Sequence, residues 1–285
     1  MPSLSYKIFS RFLSFTPLSF NIKVLYLRRF GRLPDIENPS SFNEKLQYRK
    51  LYDRNELLPI LADKIESKKY VAKIVPSVYI PEIIWSGDDF HSIDFSELPS
   101  DYVIKANHAS QTNYFVRDEQ HLSLERLEKL RAEWFSHDQA AVLGEWAYSK
   151  IKKKVFIEEF LDFGGTVPDD YKLFVFNGKV KAIQLDTGRF SKHYRSMFNE
   201  KWEELPFDYS YSRINPTPKE PPFLKEMIEV AELIGASTDF CRVDLYFHDE
   251  KITFGEVTIY PGAGFEKFPD SKWDAFFGDL WELKY

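Results

Sequence analysis

Two acidic residues near the C-terminal end, Asp244 and Glu256, have the type and spacing to hold a divalent cation. In Arg242-Val243-Asp244-Leu245-Tyr246, strand alternation places Arg242, Asp244 and Tyr246 on one face and Val243, Leu245 and Phe247 on the other. In Phe254-Gly255-Glu256-Val257-Thr258, Glu256 and Thr258 share a face. The two carboxylates are 12 positions apart, an even separation, so they oppose each other only if the connecting loop has an odd number of residues. A loop of three, Asp249–Lys251, sets Asp244 opposite Glu256 and Arg242 opposite Thr258, whereas a loop of two puts the carboxylates on opposite faces. Opposed carboxylates repel unless something cationic lies between them. Mg²⁺ fits, because it takes oxygen ligands and is usually held by one or two carboxylates plus substrate phosphates. The alternative is a solvated face with scattered charge. Pro261-Gly262-Ala263-Gly264, a Gly-rich turn at the strand end, favours a site-forming loop, with Thr258 as a further oxygen.

Lysines supply the second half of such a site. Lys105 lies within the apolar run Tyr102–Ala106, where a charged side chain needs a partner, and a phosphate is one candidate. The segment after it, His108-Ala109-Ser110-Gln111-Thr112-Asn113, is small and polar and could fold over phosphates with N–H and hydroxyl donors, His108 and Ser110 among them. Lys172, beside Asp169 and Asp170, opens another strand, either as a site lysine or at an exposed edge. There is no Walker-type Gly-Lys-Ser/Thr loop, no spaced-glycine nucleotide fingerprint after a strand and no His-Glu-x-x-His.

The elements that must carry these residues read as α+β. Ser41-Phe42-Asn43-Glu44 starts a helix with a capping box, Ser41 as N-cap and Glu44 three residues on. A second helix is expected over 57–72, ended by Pro76, and an amphipathic one over 123–135. Tyr102–Ala106 and 155–160 read as strands. Strands over 171–176 and 179–185 flank Asn177-Gly178, a strong hairpin signal. A helix over 222–234 ends at Gly235, and 241–247 with 252–259 forms the last hairpin. Helices first and antiparallel hairpins later place the chain in the α+β class. The expected division is a basic aromatic helical segment over 1–50, a first lobe over 51–151 and a second over 152–285, with the boundary near Lys152.

Composition is that of a soluble globular chain: 285 residues suit two lobes, and 44% hydrophobic with 29% charged leaves ample material for a core. Aromatics at 17% suit stacking surfaces for a nucleobase or sugar, though aromatic cores are the commoner cause. A lone cysteine, Cys241, excludes an internal disulfide and multi-cysteine zinc sites, and a cytoplasmic, reducing location fits best. The net charge of −6 argues against general nucleic-acid binding. Residues 1–34 nevertheless carry Lys7, Arg11, Lys23, Arg28, Arg29 and Arg32 and no acid, so this segment is +6 and the rest −12. Its apolar residues are interrupted by Lys7, Arg11 and Pro17, too often for a membrane span or a clean signal-peptide core. Two readings stand: a helix capping the first lobe, or an interfacial segment in peripheral contact with an anionic membrane.

In order along the chain, Phe42-Asn43-Glu44-Lys45-Leu46-Gln47-Tyr48-Arg49-Lys50-Leu51, Leu61-Ala62-Asp63-Lys64, Val103-Ile104-Lys105-Ala106-Asn107-His108, Asp169-Asp170-Tyr171-Lys172, Arg242-Val243-Asp244-Leu245 and Gly255-Glu256-Val257-Thr258 resemble the ATP-grasp superfamily. They are most similar to its TupA-like branch, associated with bacterial teichuronopeptide and with capsular or exopolysaccharide gene clusters. The resemblance covers about Phe42 to Phe268. It implies two α+β lobes gripping ATP, with Lys105 on the phosphates beneath the His108–Asn113 loop and Lys64 near the nucleotide. It implies that Glu158, Glu159 and Leu161 meet adenine, partly through backbone groups. Asp244 and Glu256 would hold Mg²⁺, while Arg242, with Lys172, stabilises the transferring phosphoryl group or an anionic intermediate. Two departures stand out: Thr258 occupies the place where Asn is common, which favours one Mg²⁺ over two, and the phosphate loop has no glycine.

ATP-grasp ligases convert a carboxylate to an acyl phosphate that an amine attacks. Such chemistry needs positioning and charge neutralisation more than a side-chain nucleophile. Arg189, His193 and Arg195 form a cationic loop suited to a carboxylate-bearing substrate, or an ordinary basic surface loop. The expected activity is therefore a ligase joining an amino acid or other amine to a carboxylate, a saccharide uronic acid by family association. The competing readings are a sugar kinase on the same fold, a glycosyltransferase, for which no Asp-x-Asp motif stands in a suitable place, and a non-catalytic nucleotide-binding module.

Overall fold

A computed structural model describes residues 16–110, 112–117, 123–136, 143–164, 168–188 and 192–284. The expectations placed on residues 1–15, Gln111 and Arg189 lie outside the described residues. Helix α1 (Leu18–Phe30) ends at Gly31, whose φ of 75° makes a left-handed cap. Helix α2 (Phe42–Tyr52) begins with the expected Ser41/Glu44 capping box. Helix α1 and the residues just after it contact α2 and the C-terminal part of the chain: Arg32, past the cap, pairs with Glu44, and Arg29 Nε donates to Phe265 O at 2.7 Å. No helix among the described residues is long and apolar enough to cross a membrane.

The single helix expected over 57–72 is two, α3 (Leu57–Ala62) and α4 (Lys64–Ile74). The break is at Asp63, whose backbone is extended and whose carboxylate accepts from the N–H groups of Ile65 (2.8 Å) and Glu66 (3.3 Å). A short acidic side chain that captures the next turn's orphan donors starts a new helix rather than continuing the old one.

The first sheet contains β1 (Ile83–Gly87), β2 (Tyr102–Ala106), β3 (Asn113–Val116) and β4 (Val155–Glu159), antiparallel in the order β1-β4-β2-β3. Helix α5 (Leu124–Phe135), capped by Ser123, lays Leu127, Leu130 and Trp134 in a core with Ile104, Val116 and Ile157. Strand β4 follows Lys152 yet pairs with β1 and β2, so the chain leaves the first sheet after Glu159.

The second sheet holds β5 (Asp170–Phe176), β6 (Lys179–Thr187), β7 (Tyr194–Phe198), β8 (Phe240–His248) and β9 (Lys251–Thr258), antiparallel in the order β7-β6-β5-β8-β9. Asn177 and Gly178, at φ 49° and 77°, make the expected two-residue turn between β5 and β6. Helix α6 (Leu224–Gly235) packs on β5, and helix α7 (Ser271–Asp279) packs on α2. The aromatic residues concentrate here: Phe42 lies between 5.2 and 6.5 Å, ring to ring, from Phe174, Phe176, Phe240, Phe268, Phe277 and Trp281. Much of the high aromatic content is core.

The last hairpin departs from the expected route to its register. His248 pairs with Lys251, so the loop is two residues, Asp249 and Glu250, both left-handed at φ 47° and 58°. Asp244 nonetheless pairs with Glu256 and Arg242 with Thr258, because a bulge interrupts the ladder between Asp244↔Glu256 and Leu245↔Phe254. Gly255 is the extra residue. It restores the parity that the even loop would have lost. A Cβ there would sit 2.9 Å from the Asp244 carbonyl oxygen and 2.9 Å from the Tyr246 ring, so the bulge needs glycine.

Candidate active site

Four successive strands place Gln184, Lys172, Asp244 and Glu256 in one cross-strand row on the second sheet. Lys172 sits on the central strand β5 and is only 6% exposed, so it is not an edge residue. Its Nζ donates to Asp170 Oδ2 and to Asp244 Oδ2, each at 2.6 Å. Arg242 grips the same Asp244 carboxylate at both oxygens, Nε to Oδ1 at 2.7 Å and Nη2 to Oδ2 at 2.8 Å, and donates to Thr258 Oγ1 at 3.0 Å. Burial would favour a neutral Arg242, but the Asp244 carboxylate more than reverses this and raises its pKa.

Glu256 has 38% of its side chain exposed and is ion-paired to Lys64 at the first turn of α4. Burial pushes its carboxyl up, but Lys64, followed by Lys172 and Arg242, overcomes that and holds it at about 2. One turn along α4, Lys68 Nζ lies 2.7 Å from Glu158 Oε2 on β4 and 3.0 Å from Pro81 O. Lys105 on β2 pairs with the other Glu158 oxygen. Burial raises the Glu158 carboxyl, and the Lys105 and Lys68 ammonium groups together bring it below its usual value. Helix α4 therefore spans the two sheets, with Lys64 on a carboxylate of the second and Lys68 on a carboxylate of the first, four residues apart on one face.

Two further contacts fix this junction. Asp63 Oδ2 accepts from Asn107 Nδ2 at 2.9 Å, and the Lys64 N–H donates to Asn107 O at 3.0 Å, tying α4 to the loop after β2. Tyr79 bonds through its backbone to Ile252 and Phe254 on β9, at 2.8 Å each, while its hydroxyl meets Glu159. In the loop after β2, His108 is buried and edge-on to Phe135 at 5.3 Å, whereas Ser110 is exposed. Leu161, just past β4, is half-buried.

Of the cationic loop residues, His193 and Arg195 lie beside this row, but Arg195 is not a free cation. It forks onto Asp186, Nε to Oδ1 at 2.6 Å and Nη2 to Oδ2 at 3.1 Å, and reaches Glu266 Oε1 at 3.1 Å. His193 Nε2 lies 3.3 Å from Asp186 Oδ1, and its ring covers Tyr211 at 3.7 Å. The sequence alone assigns no site role to Lys68, Asp186 or Glu266, and Asp170 stands there only as a member of the Asp169–Lys172 motif. A signal existed for Lys68, which is i+4 from Lys64 on one helix; the others needed the sheet order.

The donor set at Asp244, Glu256 and Thr258 is all oxygen, which suits a hard cation such as Mg²⁺. Among the described residues no group of three or more His, Cys, Asp or Glu could hold a metal; a cation at Asp244 and Glu256 would need further oxygens, such as those of phosphates, to complete its shell. The cations now on those carboxylates, Lys64, Lys172 and Arg242, are those that an arriving polyphosphate would attract.

Two antiparallel sheets joined through α4, with lysines from both halves converging on the junction, are the arrangement that the ATP-grasp resemblance implies. The sequence model described as TupA-like ATP-grasp matches residues 44–282, and the chain belongs to that family. Comparison with curated proteins gives no match. Among solved structures, a D-alanine–D-alanine ligase from Bacillus anthracis is 20% identical, with TM-score 0.47, over 73% of this chain and 59% of that one. The corresponding ligase from Helicobacter pylori is 14% identical, with TM-score 0.44, over 79% and 62%. The ATP-grasp ligase PsnB, solved with a precursor variant, Mg and ADP, is 12% identical, with TM-score 0.44, over 84% and 65%. The chain spans between 53% and 62% of the three D-alanine–D-alanine ligase chains compared.

Proposed function

We propose that the protein is an ATP- and Mg²⁺-dependent carboxylate–amine ligase that works through an acyl phosphate. The observation that carries this reading is the row Lys172–Asp244–Glu256–Lys64, where a lysine of the second sheet and a lysine of helix α4 meet a paired carboxylate site in a member of the ATP-grasp family. Lys105 and Lys64 would bind the nucleotide phosphates, with His108 and Ser110 in the covering loop. Glu158, Glu159 and Leu161 would line the adenine side. Asp244 and Glu256, with Thr258 adjacent, would hold Mg²⁺, which supplies charge neutralisation at the transferring phosphoryl group. Arg242 and Lys172 would leave Asp244 for the phosphoryl oxygens as these gain charge. His193 and Arg195, with Arg189, would face the acceptor substrate.

The acceptor we favour is a carboxylate-bearing saccharide such as a uronic acid of a cell-surface polysaccharide, joined to an amino acid or other amine; this rests on the family. We place the reaction in the cytoplasm, with contact at the inner membrane face through residues 1–34 as an extension of the reading. Exposed Phe20, Leu27 and Leu33 beside Lys23 and Arg28 support that contact. ADP and orthophosphate release with panels of carboxylates and amines tests the activity. Release that requires both substrates supports a ligase. A phosphorylated product without orthophosphate points to a kinase, and turnover of a nucleotide sugar without ATP use refutes the reading.

A further inference from the structure

Helix α2 buries its polar side chains instead of its apolar ones alone: Asn43, Glu44, Gln47, Arg49 and Lys50 are all inside. Three of them, at i, i+4 and i+7, lie along one face and reach the segment after β9. Asn43 Nδ2 donates to Glu266 O at 3.1 Å, and Gln47 Nε2 to Gly264 O at 2.8 Å and Ala263 O at 3.3 Å. Lys50 Nζ donates to Ala263 O and to Gln47 Oε1, the latter at 3.1 Å, and lies 4.5 Å over the Phe265 ring.

The segment they reach is left-handed for three residues, Gly262, Ala263 and Gly264, at φ 54°, 54° and 65°. Glycine adopts this freely, but Ala263 does not and must be held there by its surroundings. Packing also leaves no slack, since a Cβ on Gly264 would come 2.3 Å from Gln47 Nε2 and one on Gly262 2.7 Å from Glu266 Cβ. The turn then delivers Glu266 to Arg195 Nη1 at 3.1 Å and to Ser210 Oγ at 2.7 Å.

Lys50 is wholly buried, and the one carboxylate whose charge acts on it among the described residues is Glu145, which only partly offsets the cost of burying the ammonium. A methionine would fill the same space without the desolvation of an ammonium group. What the ammonium adds is a charged donor on the carbonyl of the one non-glycine residue in the left-handed stretch. We propose that Gln47 and Lys50, with Asn43, are positioning residues that lock the 262–266 turn and thereby set Glu266 against Arg195 on the acceptor side of the site. The acceptor half of this statement rests on the ligase reading; the locking of the turn does not.

The test compares the full chain with Lys50→Met and with Gln47→Leu, which keeps the Lys50 bond to Ala263 O and removes only its bond to Gln47 Oε1. Hydrogen exchange of the 262–266 amides is read alongside exchange in β2 and β4, MgADP affinity by calorimetry, and the KM for acceptor and for ATP. The expected result is at least a tenfold rise in exchange confined to 262–266, with MgADP affinity within twofold of the parent and acceptor KM raised tenfold at unchanged ATP KM. Unchanged exchange at 262–266 in both variants overturns the proposal. So does a rise of equal size throughout the chain, which would mean general core loosening. If the parent shows no turnover with any carboxylate and amine, the ligase reading fails while the exchange result still decides whether the turn is locked.

Discussion

Asp244→Asn and Glu256→Gln should both abolish Mg²⁺-dependent turnover, yet differ sharply in what they do to stability. Asp244 is 1% exposed and lies between Arg242 and Lys172, both its oxygens bonded to cations. Removing its charge leaves two buried cations with one carboxylate fewer. Losing one member of a buried pair costs about 3–5 kcal/mol, and the lower end applies because Asn keeps the shape and one acceptor oxygen. At roughly 2–3 °C per kcal/mol for a chain of this size, the melting temperature should fall by about 6–9 °C. Glu256 has 38% of its side chain exposed, where solvent screens its pairing with Lys64, so Gln there should cost less than about 1 kcal/mol and about 2 °C or less. Calorimetry or dye-monitored melting reads the first difference. Orthophosphate release against Mg²⁺ concentration reads the second, where both variants should lose on the order of a hundredfold or more. Equal melting losses would refute the burial reasoning, and near-normal turnover in either variant would refute the metal pair.

Gly264→Ala should destabilise by roughly 2–4 kcal/mol, the sum of a left-handed backbone cost and overpacking, since its Cβ would meet Gln47 Nε2 at 2.3 Å and Leu46 Cβ at 2.8 Å; urea unfolding measures it. Lys105→Met, at a side chain 24% exposed, should weaken MgADP binding tenfold or more in calorimetry while Lys68 keeps Glu158 paired and the fold intact; unchanged affinity would remove Lys105 from the nucleotide site. Burial pushes the Glu145 carboxyl up to about 7 and the Lys50 ammonium down to about 8, each only partly countered by the other. The raised acid loses stability as pH climbs from about 4.5 to about 7, and the lowered base regains it from about 8 to about 10.5, so this pair's contribution should be least favourable near pH 7–8. Urea midpoints across pH should show that dip in the parent and lose it in the Glu145→Gln/Lys50→Met double variant.

Local rules made a good part of this protein legible before any coordinates. The Ser41/Glu44 capping box, the Asn177-Gly178 turn and the shared face of Arg242 and Asp244 each depend on residues within a few positions of one another, and each is found. The α+β class and the family motifs were legible for the same reason. What lay beyond reach depends on which strands become neighbours. Lys172 reads equally as an edge or a site residue until β8 is paired on one side of β5 and β6 on the other, which buries it between Asp170 and Asp244. The split at Asp63 follows from a carboxylate that both caps α4 and holds Asn107 from the first sheet. The Asp244–Glu256 register is the clearest case. Alternation correctly tied it to parity, but the parity is set by a two-residue loop together with a bulge at Gly255 rather than by a three-residue loop. Side-chain alternation is a property of one strand and is written in its order of residues, whereas ladder register and burial arise from contacts between segments distant in the chain.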